Sequence, residues 1–182
     1  MGLGVNRTSK SPAGQPLGER AARGKEHRGG LRKSPRYIAT RLLAIRPRSV
    51  GELRERLLNK GFAHEAVEDI VTEFRERGLL NDAVFARALA ESWLRRRAVG
   101  RRFLLAKLKQ HRLAPSLVAE IIQDLLPPGR ERTLAVDAVK KLLPVFERRQ
   151  VPRGQWRTRT IRHLLQRGFS SEVVTDIVDT FL

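Results

Sequence analysis

The chain has 182 residues, with 37 Lys and Arg against 19 Asp and Glu and a formal charge of +18. That excess points to a polyanionic or acidic partner, with an Arg-rich genome as the alternative source because Arg outnumbers Lys 29 to 8. The absence of cysteine excludes disulfides, Cys-ligated zinc and thiol catalysis, and no apolar run approaches the ~18 residues that a membrane helix needs.

Met1–Arg36 holds seven glycines, three prolines and nine Lys/Arg against two Glu. With almost no large apolar side chains it cannot bury enough surface to offset its ordering entropy, and it reads as a disordered basic tail. It also lacks the apolar stretch of a secretory signal. From Tyr37 onward the pattern is helical, with no alternating run long enough for a strand. A first helix is predicted over Tyr37–Ile45, ending before Pro47. Ser49 opens the next, and Glu52 three residues later completes a capping box. Leu53 and Leu57 share one face of that helix, which stops at Gly61 with a left-handed cap. A third helix carries Val67, Ile70, Val71 and Phe74 at i, i+3, i+4 and i+7 and stops at Gly78. These three form a first unit over 37–80.

A second unit, 81–128, follows the same plan. A long helix over Asp82–Arg97 takes the first slot. Leu108, Leu113, Val118, Ile121 and Ile122 stand 51 residues after Leu57, Phe62, Val67, Ile70 and Val71. Pro115 sits in the first turn of the unit's third helix, and "PPG" at 127–129 punctuates the chain. The third unit, 129–182, begins near Arg130 and is expected to kink or break at Pro144. It ends on "LLQRGFSSEVVTDIV" at 164–178, identical at nine of fifteen positions to "LLNKGFAHEAVEDIV" at 57–71. Each unit is too small to bury its apolar face alone, and stacking completes the core. The fold class is all-α, built from three tandem three-helix, helix-turn-helix-like repeats.

The charge is unevenly placed. Residues 37–94 hold nine basic and nine acidic side chains. Between Glu91 and Glu120 there are eight basic residues and no acid: Arg95, Arg96, Arg97, Arg101, Arg102, Lys107, Lys109 and Arg112. Between Glu147 and Glu172 there are seven more without an acid, among them Arg157, Arg159 and Arg162. Arg pairs bidentately with phosphate or carboxylate, so these blocks suit a nucleic-acid backbone or an acidic protein surface. The alternative is a solvated helix face. Trp93, Phe103 and Trp156 flank or enter the blocks but read as core or wedges, not as a stacking platform for bases.

Catalytic chemistry is not legible. His27, His64, His111 and His163 form no metal-ligand spacing, and His64 and His111 read as solvated turn or helix-end residues. No glycine-rich loop with Lys-Ser/Thr is present to cradle a nucleotide. Glu65, Glu68 and Asp69, like Asp176 and Asp179, read as exposed helix faces. The chain is expected to be neither an enzyme nor a holder of cofactor or metal.

The segments "RLLAIRPRSVGELRERLLNKGF" (41–62), "ERGLLNDAVFARALAESWLRRR" (76–97) and "GRRFLLAKLKQHRLAPSLVAEII" (100–122) resemble the RecX family, regulators of the RecA recombinase. The resemblance covers about Tyr37–Leu126, and the last unit more loosely. It implies an elongated, curved array of three units. It further implies a cytoplasmic monomer lodged in the groove of the RecA–DNA filament, with DNA as a secondary direct contact and no membrane partner. Filament extension, ATP hydrolysis, strand exchange and coprotease activity would be inhibited, restraining recombination, DNA repair and the SOS response. No catalytic residue or cofactor comes with the family. Gly100, Gly61 and Phe62 match its turn positions. Arg95, Arg96, Arg97, Arg101 and Arg102 carry over as partner contacts, and the remaining candidates come from the two basic blocks. Pro144 and "LLPVFERRQVPRGQW" depart from the pattern. The rival reading is a sequence-tolerant DNA-binding protein using its helix-turn-helix units and basic tail.

Overall fold

The computed structural model describes Met1 and residues 34–127 and 129–182. The tail reading therefore lies outside the described residues except at its ends. Among the described residues all regular structure is helical. The first unit comprises α1 (Pro35–Ile45), α2 (Val50–Leu58) and α3 (His64–Glu76). The second comprises α4 (Asp82–Arg96), α5 (Arg101–Lys109) and α6 (Pro115–Leu125). The third comprises α7 (Arg130–Arg148), a 3-10 turn (Arg153–Gln155), α8 (Trp156–Gln166) and α9 (Ser171–Phe181).

The helices pack chiefly within their own triplets, and three separate apolar clusters result. Leu53, Leu57, Val67, Val71 and Phe74 centre the first. Leu104, Leu108, Val118, Ile121 and Ile122 centre the second, and Leu164, Phe169, Val174, Ile177 and Val178 the third. Each fully buried side chain of this size contributes about 1.5–3 kcal/mol. Leu134 touches both the second and third clusters and bridges them.

Two expectations about helix limits are corrected. The first helix starts at Pro35, two residues before Tyr37, because the Ser34 side chain caps it by accepting from the Tyr37 amide at 3.2 Å and proline occupies its first turn. Arg36 consequently lies on α1 and pairs with Glu73 of α3 at 2.7 Å. Of the kink or break expected at Pro144, the break does not occur: α7 runs through it to Arg148. Pro144 is exposed, so water can serve the backbone acceptor that loses its partner, while Val139 and Phe146 stay buried in the core.

The repeated turn after the second helix of each unit takes a left-handed residue three times: Gly61 (φ 85°), Arg112 (φ 54°) and Gly168 (φ 74°). Arg112 is the exception in residue type. It adopts a conformation that disfavours side chains, and its guanidinium pairs with Glu55 of the preceding unit.

That turn is also where the units join. In the first joint Ser49 caps α2 in the expected capping box and its hydroxyl donates to the His111 carbonyl. The Glu52 carboxylate of the same box lies 3.1 Å from His111 Nδ1 and accepts from Arg46 at 2.9 Å. His111 is therefore not the solvated residue expected. Its ring is half-buried and edge-on to Phe85 at 5.4 Å. Burial works against the charge on Glu52, but the Arg46 and His111 contacts outweigh it and hold its carboxyl below the ordinary range.

The second joint uses bare backbone. The Gly100 amide donates to the Arg167 carbonyl at 3.0 Å, and the Arg102 amide to the Gly168 carbonyl at 2.9 Å. A Cβ on Gly100 would stand 2.3 Å from the Gly168 carbonyl oxygen, and one on Gly168 would stand 2.3 Å from the Phe103 nitrogen. Glycine is required on both sides by this approach. One oxygen of the nearly buried Glu131 then accepts from the Arg101 amide at 2.9 Å and the Ser170 amide at 3.1 Å, capping α5 and α9 together. Asp82 does the matching work in the first joint, accepting from the Val50 amide at 2.8 Å. In both joints the opening helix of one unit caps the second helix of the unit before it.

Candidate functional site

The eleven basic candidates separate once they are placed. Three are engaged within the chain. The Arg112 guanidinium pairs with Glu55, and Arg157 donates to Asp179 at 2.6 Å. Arg101 donates to the Leu126 carbonyl at 2.8 Å while its own amide is held by Glu131. Such contacts occupy one edge of each guanidinium and hold it within the fold, leaving its other donors available.

Others are presented outward. Arg95 is 69% exposed, with Glu91 one turn back at 3.6 Å. Arg102 and Lys109 lie at i and i+7 on one exposed stripe of α5, with Leu105 and Ala106 between them. Arg159 and Arg162 occupy the exposed side of α8, the corresponding second helix, where Arg159 donates to the Gln155 side chain through bonds of 3.1 and 2.8 Å. Lys107 leans over the Phe103 ring at 5.9 Å, and Arg97 covers that ring at 4.7 Å. Phe103 also meets Trp93 edge-on at 5.8 Å, so these two aromatics pack as wedges. Trp156 is buried, and its indole donates to the Val151 carbonyl at 2.8 Å.

Arg96 and Arg97 face a different environment. With Ala98 they form one wall of a cleft whose other wall is Ala138, Lys141, Leu142 and Val145 of α7 and His163 and Arg167 at the end of α8. Arg167 donates to the Ala98 carbonyl at 3.2 Å. Burial, then the nearby Arg97 charge, lowers the pKa of Arg167. Burial, then Arg167, lowers that of His163. Lys141, His163 and Arg167 are not among the residues that the sequence singles out. Lys141 lies in a stretch whose summed charge is near zero, and only the fold brings it to Arg96. For Arg167 the available signal is the run of seven cations that includes it.

Among the described residues no group of three or more His, Asp or Glu is placed to hold a metal ion, and no helix is long and apolar enough to cross a membrane.

Residues 36–74 match the family model for the first three-helix domain of RecX. The chain is 34% identical over 137 residues to the regulatory protein RecX of Syntrophotalea carbinolica, covering 75% of this chain and 88% of that one. It is 30% identical over 168 residues to the regulatory protein RecX of Deinococcus radiodurans, covering 92% and 78%. The crystal structure of RecX from Lactobacillus salivarius superposes with a TM-score of 0.70 at 15% identity, over 80% of this chain and 93% of that one, a likeness of fold.

Proposed function

Since the chain belongs to the RecX family of regulatory proteins, we propose that it binds the groove of the RecA–DNA filament in the cytoplasm and inhibits RecA. Filament extension, ATP hydrolysis, strand exchange and coprotease activity fall together, and recombination and repair are restrained. The protein acts as a monomer and without catalysis or cofactor. The observation that supports this reading is the outward presentation of Arg95, Arg102, Lys109, Arg159 and Arg162 on successive units, most of them free of a carboxylate partner among the described residues. Tandem units joined at a repeated contact set such side chains at intervals along one molecule, which suits a partner that is itself a repeating filament. The paired Arg112 and Arg157 and the engaged Arg101 contribute chiefly to the fold.

The alternative, sequence-tolerant DNA binding by the same charges, is separated by one comparison. Arg95→Glu, Arg102→Glu and Lys109→Glu are combined in one protein, and inhibition of RecA ATP hydrolysis is measured beside affinity for bare DNA. At an interface, like charges meeting across a desolvated contact cost several kcal/mol. Inhibition falling much further than DNA affinity supports the RecA interface. Equal losses transfer the function to DNA, and a folded variant that inhibits like wild type removes these residues from the site.

A further inference from the structure

The cleft between the second and third units has a composition that the filament-facing residues lack. Arg96, Arg97, Lys141, His163 and Arg167 converge on it from the end of α4, from α7 and from α8. None of the five has a carboxylate within salt-bridge distance among the described residues. Elsewhere the fold pairs its arginines across helices, as with Arg54–Glu68, Arg87–Asp124 and Arg132–Asp176. Here it sets the exposed Arg96, Arg97 and Lys141 around the half-buried His163 and Arg167, with no acid among them. Burial first, and then mutual repulsion, disfavours the charged forms of Arg167 and His163, with Arg97 acting on Arg167 and Arg167 on His163. An anion seated there removes this repulsion.

The lining also selects the kind of anion. Every charged side chain in it is a hydrogen-bond donor when protonated, and the remaining lining residues, Ala98, Ala138, Leu142 and Val145, are apolar. The Ala98 carbonyl is taken by Arg167. A peptide segment would bring a backbone N–H at nearly every residue, and the neutral imidazole of His163 is the one side-chain acceptor in this lining to meet them. A DNA backbone presents acceptors only, with an apolar sugar beside each phosphate. The cleft, about 310 Å³, has no Phe, Tyr or Trp in its lining on which a base could stack.

We propose that this cleft binds the phosphodiester backbone of single-stranded DNA, with Arg96 and Arg97 gripping it from the second unit and Lys141, His163 and Arg167 from the third. Because the two walls belong to different units, the bound strand ties them together across the glycine joint. This deepens the DNA contact within the proposed function, and its test contains no RecA, so its failure leaves filament inhibition untouched and the reverse.

The test uses the full chain. The His163 imidazole is followed by NMR through a pH titration alone, with oligo(dT), and with inorganic phosphate. Oligo(dT) is expected to raise the His163 titration midpoint, because a neighbouring phosphate favours the imidazolium over the cationic surroundings that now oppose it. A midpoint unmoved by oligo(dT) overturns the site. A midpoint raised by inorganic phosphate but not by oligo(dT) overturns the phosphodiester assignment and leaves a small-anion pocket. In parallel, Arg96→Gln with Lys141→Gln is compared with Lys60→Gln and Arg75→Gln, which remove equal charge from exposed positions of the first unit. The cleft pair is expected to flatten the log–log salt dependence of oligo(dT) affinity by about 1.4, at roughly 0.7 per phosphate contact, and the first-unit pair to leave it unchanged. Equal effects from the two pairs overturn the proposal in favour of diffuse attraction.

Discussion

Replacing Gly168 with Ala, and Gly61 with Ala as its partner experiment, isolates the contact that joins the second and third units. Both glycines hold positive φ, 74° and 85°. An alanine at either site carries the left-handed penalty of roughly 1–2 kcal/mol. Their surroundings differ. A Cβ at Gly61 meets nothing within 4 Å, whereas at Gly168 it would stand 2.3 Å from the Phe103 nitrogen and 2.8 Å from its Cα. Those are backbone atoms at the start of α5, so no rotamer change relieves the overlap and the joint itself has to open. The hydrogen bonds from Gly100 to Arg167 and from Arg102 to Gly168, 3.0 and 2.9 Å, are the first to break. At about 0.5–1.5 kcal/mol each they add roughly 1–3 kcal/mol to the conformational cost. Gly168→Ala should therefore destabilise by about 2–5 kcal/mol and Gly61→Ala by about 1–2 kcal/mol. Urea melts give the totals. Hydrogen exchange at the Arg102 amide locates the damage, with protection falling for Gly168→Ala and holding for Gly61→Ala. Equal destabilisation by the two, or an unaltered Arg102 amide in Gly168→Ala, would refute the reasoning.

Glu131→Ala should cost about 2–6 kcal/mol in the same melts, because it strands the Arg101 and Ser170 amides at roughly 1–3 kcal/mol each. Arg112→Gly should leave the thermal midpoint unchanged or slightly higher: relief of the left-handed strain, roughly 1–2 kcal/mol, exceeds the ~0–1 kcal/mol of the exposed pair with Glu55. Acid should destabilise the fold in two stages, read as thermal midpoint against pH. The His163 pKa is lowered by burial and then by Arg167, so below about 6.5 the unfolded chain binds the extra proton and stability declines; His163→Gln should remove this stage. The Glu68 carboxyl is held low by its hydrogen bonds from Arg54; at Glu52 burial opposes the charge, but Arg46 and His111 outweigh it. The contribution of both carboxylates is present above about 4.3 and is lost as pH falls through their folded values.

The helical units were legible because their determinants are local. A capping box at Ser49 and Glu52, glycines at 61 and 168 and an apolar period of 3.6 specify where helices begin, end and face. The middle turn was harder to read, since Arg112 holds the left-handed position that glycine holds in the other units. At Pro144 the choice between a kink and a break was not legible for a related reason: a proline breaks an isolated helix, but buried neighbours such as Val139 and Phe146 sustain α7 through it. The joints were not legible at all. Glu131 caps two helices that lie 30 and 39 residues away, and His111 leaves solvent only because Glu52 and Phe85 arrive from elsewhere. Charge summed along the chain reveals the basic blocks, yet it groups Arg112 and Arg157, which pair internally, with Arg95 and Arg102, which face outward. It also passes over Lys141, whose role depends on a cleft between units.

The most direct test of the central claim is DNA-dependent ATP hydrolysis by preformed RecA filaments, under conditions that allow subunit exchange, as this protein is added from well below one molecule per RecA. Inhibition of filament extension acts at few sites, so hydrolysis should fall steeply while most RecA subunits have no inhibitor bound. Inhibition that appears only as the protein saturates the DNA would contradict the account and identify simple competition for the strand.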